Sequence, residues 1–248
     1  MNASKEVETT NRRRIAVTVE RVLDIAPFLR RITVRGPGLN DFFAPLPAQW
    51  VKVFVPQIDQ AGPPGRAYTI KAIRQEPASM DLDFVIHEHG LCSTWATEAK
   101  PNDVIEIAGP RAGFRLASST RHLLLGGDET ALPAISSILG VLPENIEADA
   151  YIEIPGHSAP SELTRRANCR VTWLGRGENP AGTSGALQDA VMKAKLPSEG
   201  SEVWFAAEAS VTQQIRQHFG SLGSHRPVLT AVGYWKRGVT DHRERHAP

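Results

Sequence analysis

The chain has 248 residues, 41% of them hydrophobic and 22% charged, with a formal net charge of +1; this is a globular balance with room for two ordinary domains, and no global field calls for nucleic acid. Its two cysteines, Cys92 and Cys169, lack metal-ligand spacing and are read as reduced thiols. The opening Met1 to Arg14 is polar and no apolar run approaches a membrane span, so a cytoplasmic protein without membrane insertion is expected.

From Ile15 to about Phe114 short alternating runs are separated by Gly and Pro clusters. Ile15, Val17 and Val19 alternate with Ala16 and Thr18, and Ile32 and Val34 alternate with Arg31, Thr33 and Arg35. Trp50 to Val55 places Val51, Val53 and Val55 on one face and Trp50, Lys52 and Phe54 on the other. Arg66-Ala67-Tyr68-Thr69 enters a strand after Gly62-Pro63-Pro64-Gly65, Asp81 to His87 alternates again, and Val104 to Ile107 adds a further run. Period-two patterning at this spacing predicts an antiparallel barrel. A helix is expected near Ser93-Thr94, covering Trp95, Ala96 and Ala99 and stopped by Pro101.

The pattern changes after Phe114. His122 to Leu125 is a short apolar strand running into Gly126-Gly127-Asp128-Glu129-Thr130, and Leu132, Ile135, Ile138, Leu139 and Leu142 then recur at helical spacing, with Pro133 in the first turn. Strands at 148–154 and 169–174 precede a helix carrying Ala186, Leu187, Ala190, Val191 and Ala194; a strand at 202–207, a helix at 211–219 and a strand at 227–234 follow. Alternation of strand and helix predicts a parallel-sheet α/β domain after the barrel, the kind of sheet that binds nucleotides at its strand ends. The last residues, 239–248, read as a charged tail.

Three clusters carry chemistry. In Arg66-Ala67-Tyr68-Thr69, Arg66 and Tyr68 share a strand face, where a guanidinium can pair with phosphate and a phenol ring can lie on an aromatic ring system; a surface arginine beside a core tyrosine has the same pattern. His87-Glu88-His89-Gly90-Leu91-Cys92-Ser93-Thr94 is a glycine turn with hydroxyls opening a helix, either an anion site or a helix cap. His87 and His89 have no third ligand of matching spacing, so a metal is not expected. Gly127-Asp128-Glu129-Thr130-Ala131 lies where a parallel strand gives way to a helix; its acids point toward a ribose or flavin, or cap the helix.

Together these clusters resemble the siderophore-interacting protein family, a branch of the ferredoxin–NADP reductase-like flavoproteins, from about Arg14 to Gly238. The resemblance rests on Gly-Asp-Glu-Thr-Ala-Leu-Pro-Ala at 127–134 and Gly-Tyr-Trp at 233–235. It is supported by Arg-x-Tyr-Thr at 66–69, the strand end Val85-Ile86-His87, Gly-Pro-Arg-Ala-Gly-Phe at 109–114 and Glu208 after Trp204. It implies a Greek-key FAD barrel at 14–116, an NAD(P)H domain at 120–238 and a ferric-siderophore reductase fed by NADPH or NADH. By the same resemblance Arg66, Tyr68 and Thr69 lie along FAD; His87, Gly90, Ser93 and Thr94 hold its ribityl and diphosphate groups. Asp128, Thr130 and Ala131 shape the flavin edge and nicotinamide site, and Trp235 is the aromatic residue beside flavin or adenine. Two departures stand out: Gly90-Leu91-Cys92-Ser93 replaces the frequent Gly-Pro-Ala-Ser, and Ile70-Lys71 replaces Val-Arg.

Passing electrons to an anionic chelate needs no protein nucleophile or general base, but it calls for a basic lip, for which Lys52, Arg111, Arg115, Lys236 and Arg237 are the candidates. Arg176, after a strand end, is the candidate for the extra phosphate of NADPH, toward which the reading leans. A monomer acting on a small ferric siderophore is expected. The alternatives are a flavin-dependent reductase serving a protein acceptor and a non-enzymatic siderophore-binding protein.

Overall fold

The computed structural model describes residues 13–56, 65–87, 90–156, 159–160, 163, 168–240 and 242. The Gly62-Pro63-Pro64 turn, His89 and most of the charged tail lie outside them. Internal contacts divide the chain into two compact units, Met1–Arg115 and Leu116–Pro248.

The first unit is built from β1 (Ile15–Ala26), β2 (Leu29–Arg35), β3 (Trp50–Phe54), β4 (Arg66–Gln75), β5 (Ala78–Val85) and β6 (Val104–Arg111). They close into a barrel in the order β1-β2-β5-β4-β3-β6, every pairing antiparallel, which is a Greek-key order. Alternation explains the interior: Ile32 faces Leu82 and Val34 faces Met80 across β2 and β5, all four buried. On the opposite face of the same ladder Arg31 meets Asp83 and Thr33 meets Asp81. Arg31 donates to both Asp83 oxygens at 2.7 and 2.9 Å. Asp81 accepts from Thr33 Oγ1 at 2.8 Å and from the Arg74 fork at 3.1 and 2.6 Å.

Helix α1 (Leu91–Glu98) buries Cys92 and Ala96 against the barrel core. Arg30 Nη1 donates to the carbonyl of Ala96 at 3.0 Å and to that of Thr97, satisfying acceptors that the helix end leaves open. The helix begins two residues before the expected start. Gly90 is its N-cap without a side-chain cap bond, and Ser93 lies inside the helix.

The second unit contains β7 (His122–Gly127), α2 (Leu132–Val141), β8 (Glu147–Ile154), β9 (Cys169–Gly175), α3 (Ala186–Met192), β10 (Ser201–Glu208), α4 (Ala209–Gly220) and β11 (Val228–Trp235). The strands form one parallel sheet in the order β11-β10-β7-β8-β9. Every residue of the central β7 and β10 is buried, the condition that makes a parallel strand a continuous apolar run. Leu124, Val203, Phe205 and Ala207 pack with Leu187 and Val191 of α3 and Val211, Ile215 and Phe219 of α4. Consecutive strands run from β7 out to β9, and the chain then returns to β10 on the other side of β7. The topological switch point therefore lies between the carboxyl ends of β7 and β10, where sheets of this kind bind ligands.

Candidate functional site

In the barrel unit, Arg66 and Tyr68 open β4 opposite Val53 and Val51 of β3. The half-buried Tyr68 ring lies 4.2 Å, centroid to centroid, from the buried Phe84 ring, and Phe84 in turn packs 5.7 Å from Trp95. Burial pushes the Tyr68 phenol well above its ordinary pKa, with Cys92 adding to the rise and Arg66 opposing it. Burial likewise pushes the Cys92 thiol up to about 11, against the pull of Arg66 and Tyr68. A thiol protonated at that level is a packing group and not a nucleophile. Thr69, opposite Trp50, is buried.

The turn from β5 into α1 is closed by one side chain. Ser93 Oγ accepts from the His87 amide at 2.9 Å and donates to the His87 carbonyl at 2.8 Å. Gly90 turns the chain at φ +137°, and a Cβ there would come within 2.6 Å of His87 Cε1, so the turn admits glycine alone. The expectation for Ser93 changes accordingly: it is 1% exposed and committed to the backbone of the turn, shaping the site without offering its hydroxyl. Among the described residues, His87 and Thr94 are exposed at this helix start, and the N-cap gives the first-turn amides no side-chain cap. This is a fitting cradle for an anionic diphosphate. Arg111, at the end of β6, stands 5.3 Å over the Trp50 ring, and its buried Nε has no hydrogen-bond partner among the described residues. Lys52 is half-buried between Ala67 and Ala108, and Arg115 is exposed.

In the second unit the strand ends carry carboxylates. Asp128 follows β7 and is 2% exposed; its Oδ1 accepts from the Thr130 amide at 3.0 Å and from the Thr130 hydroxyl, and its Oδ2 accepts from Trp235 Nε1 at 2.8 Å. Burial, then the neighbouring Glu129 charge, raises Asp128 to about 7, although Thr130 and Trp235 pull the other way. Gly127 makes the turn possible, because a Cβ there would lie 2.5 Å from Ala131 Cβ and 2.7 Å from the Ala206 carbonyl. Ala131 is fully buried and its amide donates to the Asp128 carbonyl at 2.9 Å, so it shapes the turn from beneath.

Glu208 ends β10 and caps α4, accepting from the amides of Ser210 and Val211 and from the Ser210 hydroxyl; its other oxygen accepts the Arg237 amide at 3.2 Å. Burial would raise its pKa, but these donors outweigh it and hold the carboxyl below its usual range. Glu153, near the end of β8 and 2% exposed, accepts the Ser184 hydroxyl, and burial raises it above the ordinary value. Asp128, Glu153, Glu208, Gly182 and Ser184 line a small crevice at the switch point. Trp235 reaches over it to Asp128, while Lys236 and Arg237 beyond it are exposed.

Arg176 requires a correction. It lies just past β9 as expected, yet its guanidinium donates to both oxygens of Glu129 at 2.7 Å each, with side-chain exposures of 10% and 6%. The fork assigned to a nucleotide phosphate is already filled by a carboxylate. Glu153 and Ser184 were missed from the sequence. The available signal was an acid enclosed by Ile152 and Ile154 at the apolar end of a parallel strand, a position where a buried charge needs a purpose.

An antiparallel barrel followed by a parallel sheet whose switch point opens on polar strand ends is an architecture suited to nucleotide binding. The sequence pattern of the siderophore-interacting FAD-binding domain matches residues 18–63 and 57–114, and that of siderophore-interacting protein matches residues 120–238. The chain belongs to the siderophore-interacting protein family. It is 26% identical to ferric vibriobactin reductase ViuB of Vibrio cholerae over 88% of this chain and 89% of that one. It is 25% identical to the NADPH-dependent ferric-chelate reductase of Escherichia coli over 88% and 91%. A siderophore utilization protein from T. fusca superposes with a TM-score of 0.86 at 26% identity, covering 95% of this chain and 97% of that one.

Proposed function

We propose that the protein is a ferric-siderophore reductase in which hydride from a nicotinamide nucleotide reaches FAD and electrons then pass singly to the ferric chelate. The observation that carries this reading is the joint presence, in one chain, of the siderophore-interacting pattern and a strand-end crevice at the switch point of a parallel sheet. The residues present fit FAD: the Gly90 N-cap puts no side chain over the first amides of α1, and among the described residues Arg111 Nε is a buried donor without an acceptor. FAD supplies, when bound, the acceptor for a two-electron hydride and the source of single electrons.

The protein's own work is then binding and orientation. Arg66 pairs with phosphate, Tyr68 and Thr69 flank the ring system, and His87, Gly90 and Thr94 border the ribityl and diphosphate end, with Ser93 fixing their turn. In the second unit Asp128, through Thr130 and Trp235, keeps the β7 turn and the end of β11 in one arrangement, and the nucleotide lies at the strand ends. Lys52, Arg111, Lys236 and Arg237 attract an anionic chelate. One nicotinamide donates two electrons, so two ferric complexes are reduced and one proton is released. Ferrous iron carries less charge, and oxygen donors hold it less tightly. The protein acts as a cytoplasmic monomer on a small molecule. We assign the FAD domain to residues 14–116 and the NAD(P)H domain to 120–238.

The visible spectrum of the purified protein, reconstituted with FAD and titrated anaerobically with NADH or NADPH, tests this reading. Bleaching, followed by recovery of the flavin absorbance when ferric siderophore is added and ferrous iron is trapped, is the expected course. Bleaching without recovery by any ferric chelate points to a protein acceptor, and failure to take up FAD points to a binding protein.

A further inference from the structure

The dinucleotide rule for open parallel sheets places the pyrophosphate at the turn after the first strand and an acidic residue roughly 20 residues on, where it takes the ribose hydroxyl; an arginine nearby accommodates the extra phosphate of NADPH. Here the first strand is β7, the turn is Gly127-Asp128-Glu129-Thr130, and the acid at the end of the next strand is Glu153. Among the described residues, the arginine at the carboxyl ends of β8 and β9 is Arg176, just past β9. It is held by Glu129 in a two-bonded pair with both partners close to nine-tenths buried or more. Arg176 lies within electrostatic reach of Glu153 and Asp128 as well as Glu129, so one guanidinium faces three carboxyl groups. Lys236 and Arg237 follow β11, at the opposite edge of the sheet from β8 and β9.

Resting on the reductase reading above, we propose that the strand ends of the second unit select NADH over NADPH, with the Glu129–Arg176 pair as the determinant. A 2′-phosphate arriving at the β8–β9 side meets acidic groups and an arginine whose Nη1–Nη2 edge is already occupied and whose charge is offset by Glu129. Ribose hydroxyls, by contrast, are donors that carboxylates accept. Selectivity of this kind comes from what the site repels as much as from what it holds. The Glu129→Gln variant frees the Arg176 charge without changing the shape of the partner, and is therefore expected to move the preference toward NADPH.

The test needs no variant at first. Calorimetry of the FAD-loaded protein with AMP and with 2′-phospho-AMP is expected to show AMP bound at least about tenfold tighter at low salt, the scale of one unfavourable charge contact near a surface. The ratio of kcat/KM for NADH over NADPH should follow the same order, and Glu129→Gln should lower that ratio about tenfold or more. Equal or tighter binding of 2′-phospho-AMP by the wild-type protein, or a folded Glu129→Gln variant with unchanged preference, overturns the proposal. Failure of both nucleotides to bleach a flavin that dithionite still bleaches overturns the reductase reading itself, and the selectivity with it.

Discussion

On the barrel, Asp81 and Asp83 are 2% and 5% exposed and face arginines; at the strand ends of the second unit, Asp128, Glu153 and Glu208 are 2%, 2% and 4% exposed and are held chiefly by N–H and O–H groups of uncharged partners. Asp81 and Asp128, equally buried, reach opposite outcomes. Burial raises Asp81, but the Arg74 and Thr33 hydrogen bonds outweigh it and leave the carboxyl below its ordinary value. Burial also raises Asp128, and the uncharged donors do not bring it back, so it stands at about 7. Neutral donors can suffice, as at Glu208, which stays below its ordinary value. A carboxylate facing a guanidinium, as Asp81, is a fixed structural anion, and one left high beside a second acid, as Asp128, keeps a charge that binding and pH can still change. The first kind suits a scaffold and the second a site.

The sharpest way to break this comparison is to remove one charge from each class. Asp83→Asn strands the Arg31 guanidinium, 11% exposed, beside an amide, and should destabilise the fold by about 3–5 kcal/mol in urea unfolding. Asp128→Asn at pH 7 should cost less, about 1–3 kcal/mol: the carboxyl it replaces is half protonated, but the amide oxygen accepts from Trp235 or from Thr130 and turns its NH2 on the other. Equal losses would erase the distinction.

A pH series sharpens it further. Folded Asp128 holds its proton to about 7, whereas the unfolded group releases it near 3.8. Between those values the folded state binds more protons, so this contribution is complete below 3.8 and is lost as pH rises through 7, with a slope of at most about 1.4 kcal/mol per pH unit. The lowered Asp81 works in the reverse sense: its contribution is present above its ordinary value and disappears as pH falls through the folded one. Asp128→Asn should flatten the decline between pH 4 and 7 and leave the acid limb unchanged; thermal unfolding across that range checks both. A smaller effect is expected of Glu208→Ala, which removes the cap of α4 and should cost about 1–2 kcal/mol in the same urea assay.

The barrel and the alternating second unit were legible because their faces are cleanly apolar. Ile32 and Val34, or Leu123 to Leu125, announce strands without help from the rest of the chain. The outer part of β1 was hidden, because a register shift between Val19 and Arg21 breaks its alternation and residues 20–24 are largely exposed. The end of α3 came early, at Met192, where Lys193 caps the helix before Ala194. In the site, the glycine turns and Asp128 stood out from local chemistry. The Trp235–Asp128 bond, spanning 107 residues, did not, and neither did the pairing of Arg176 with Glu129 across 47. Sequence shows that an arginine follows a strand end, but whether its fork is vacant depends on a partner that only the folded sheet brings to it.

If electrons from one nicotinamide leave singly to ferric chelates, the decisive quantity is the ferrous iron trapped per nicotinamide oxidised, counted anaerobically with FAD-loaded protein and a ferric siderophore. The expected ratio is about two, set by the two-electron donor and one-electron acceptor. Nicotinamide oxidation that yields no ferrous iron under the same conditions would contradict it.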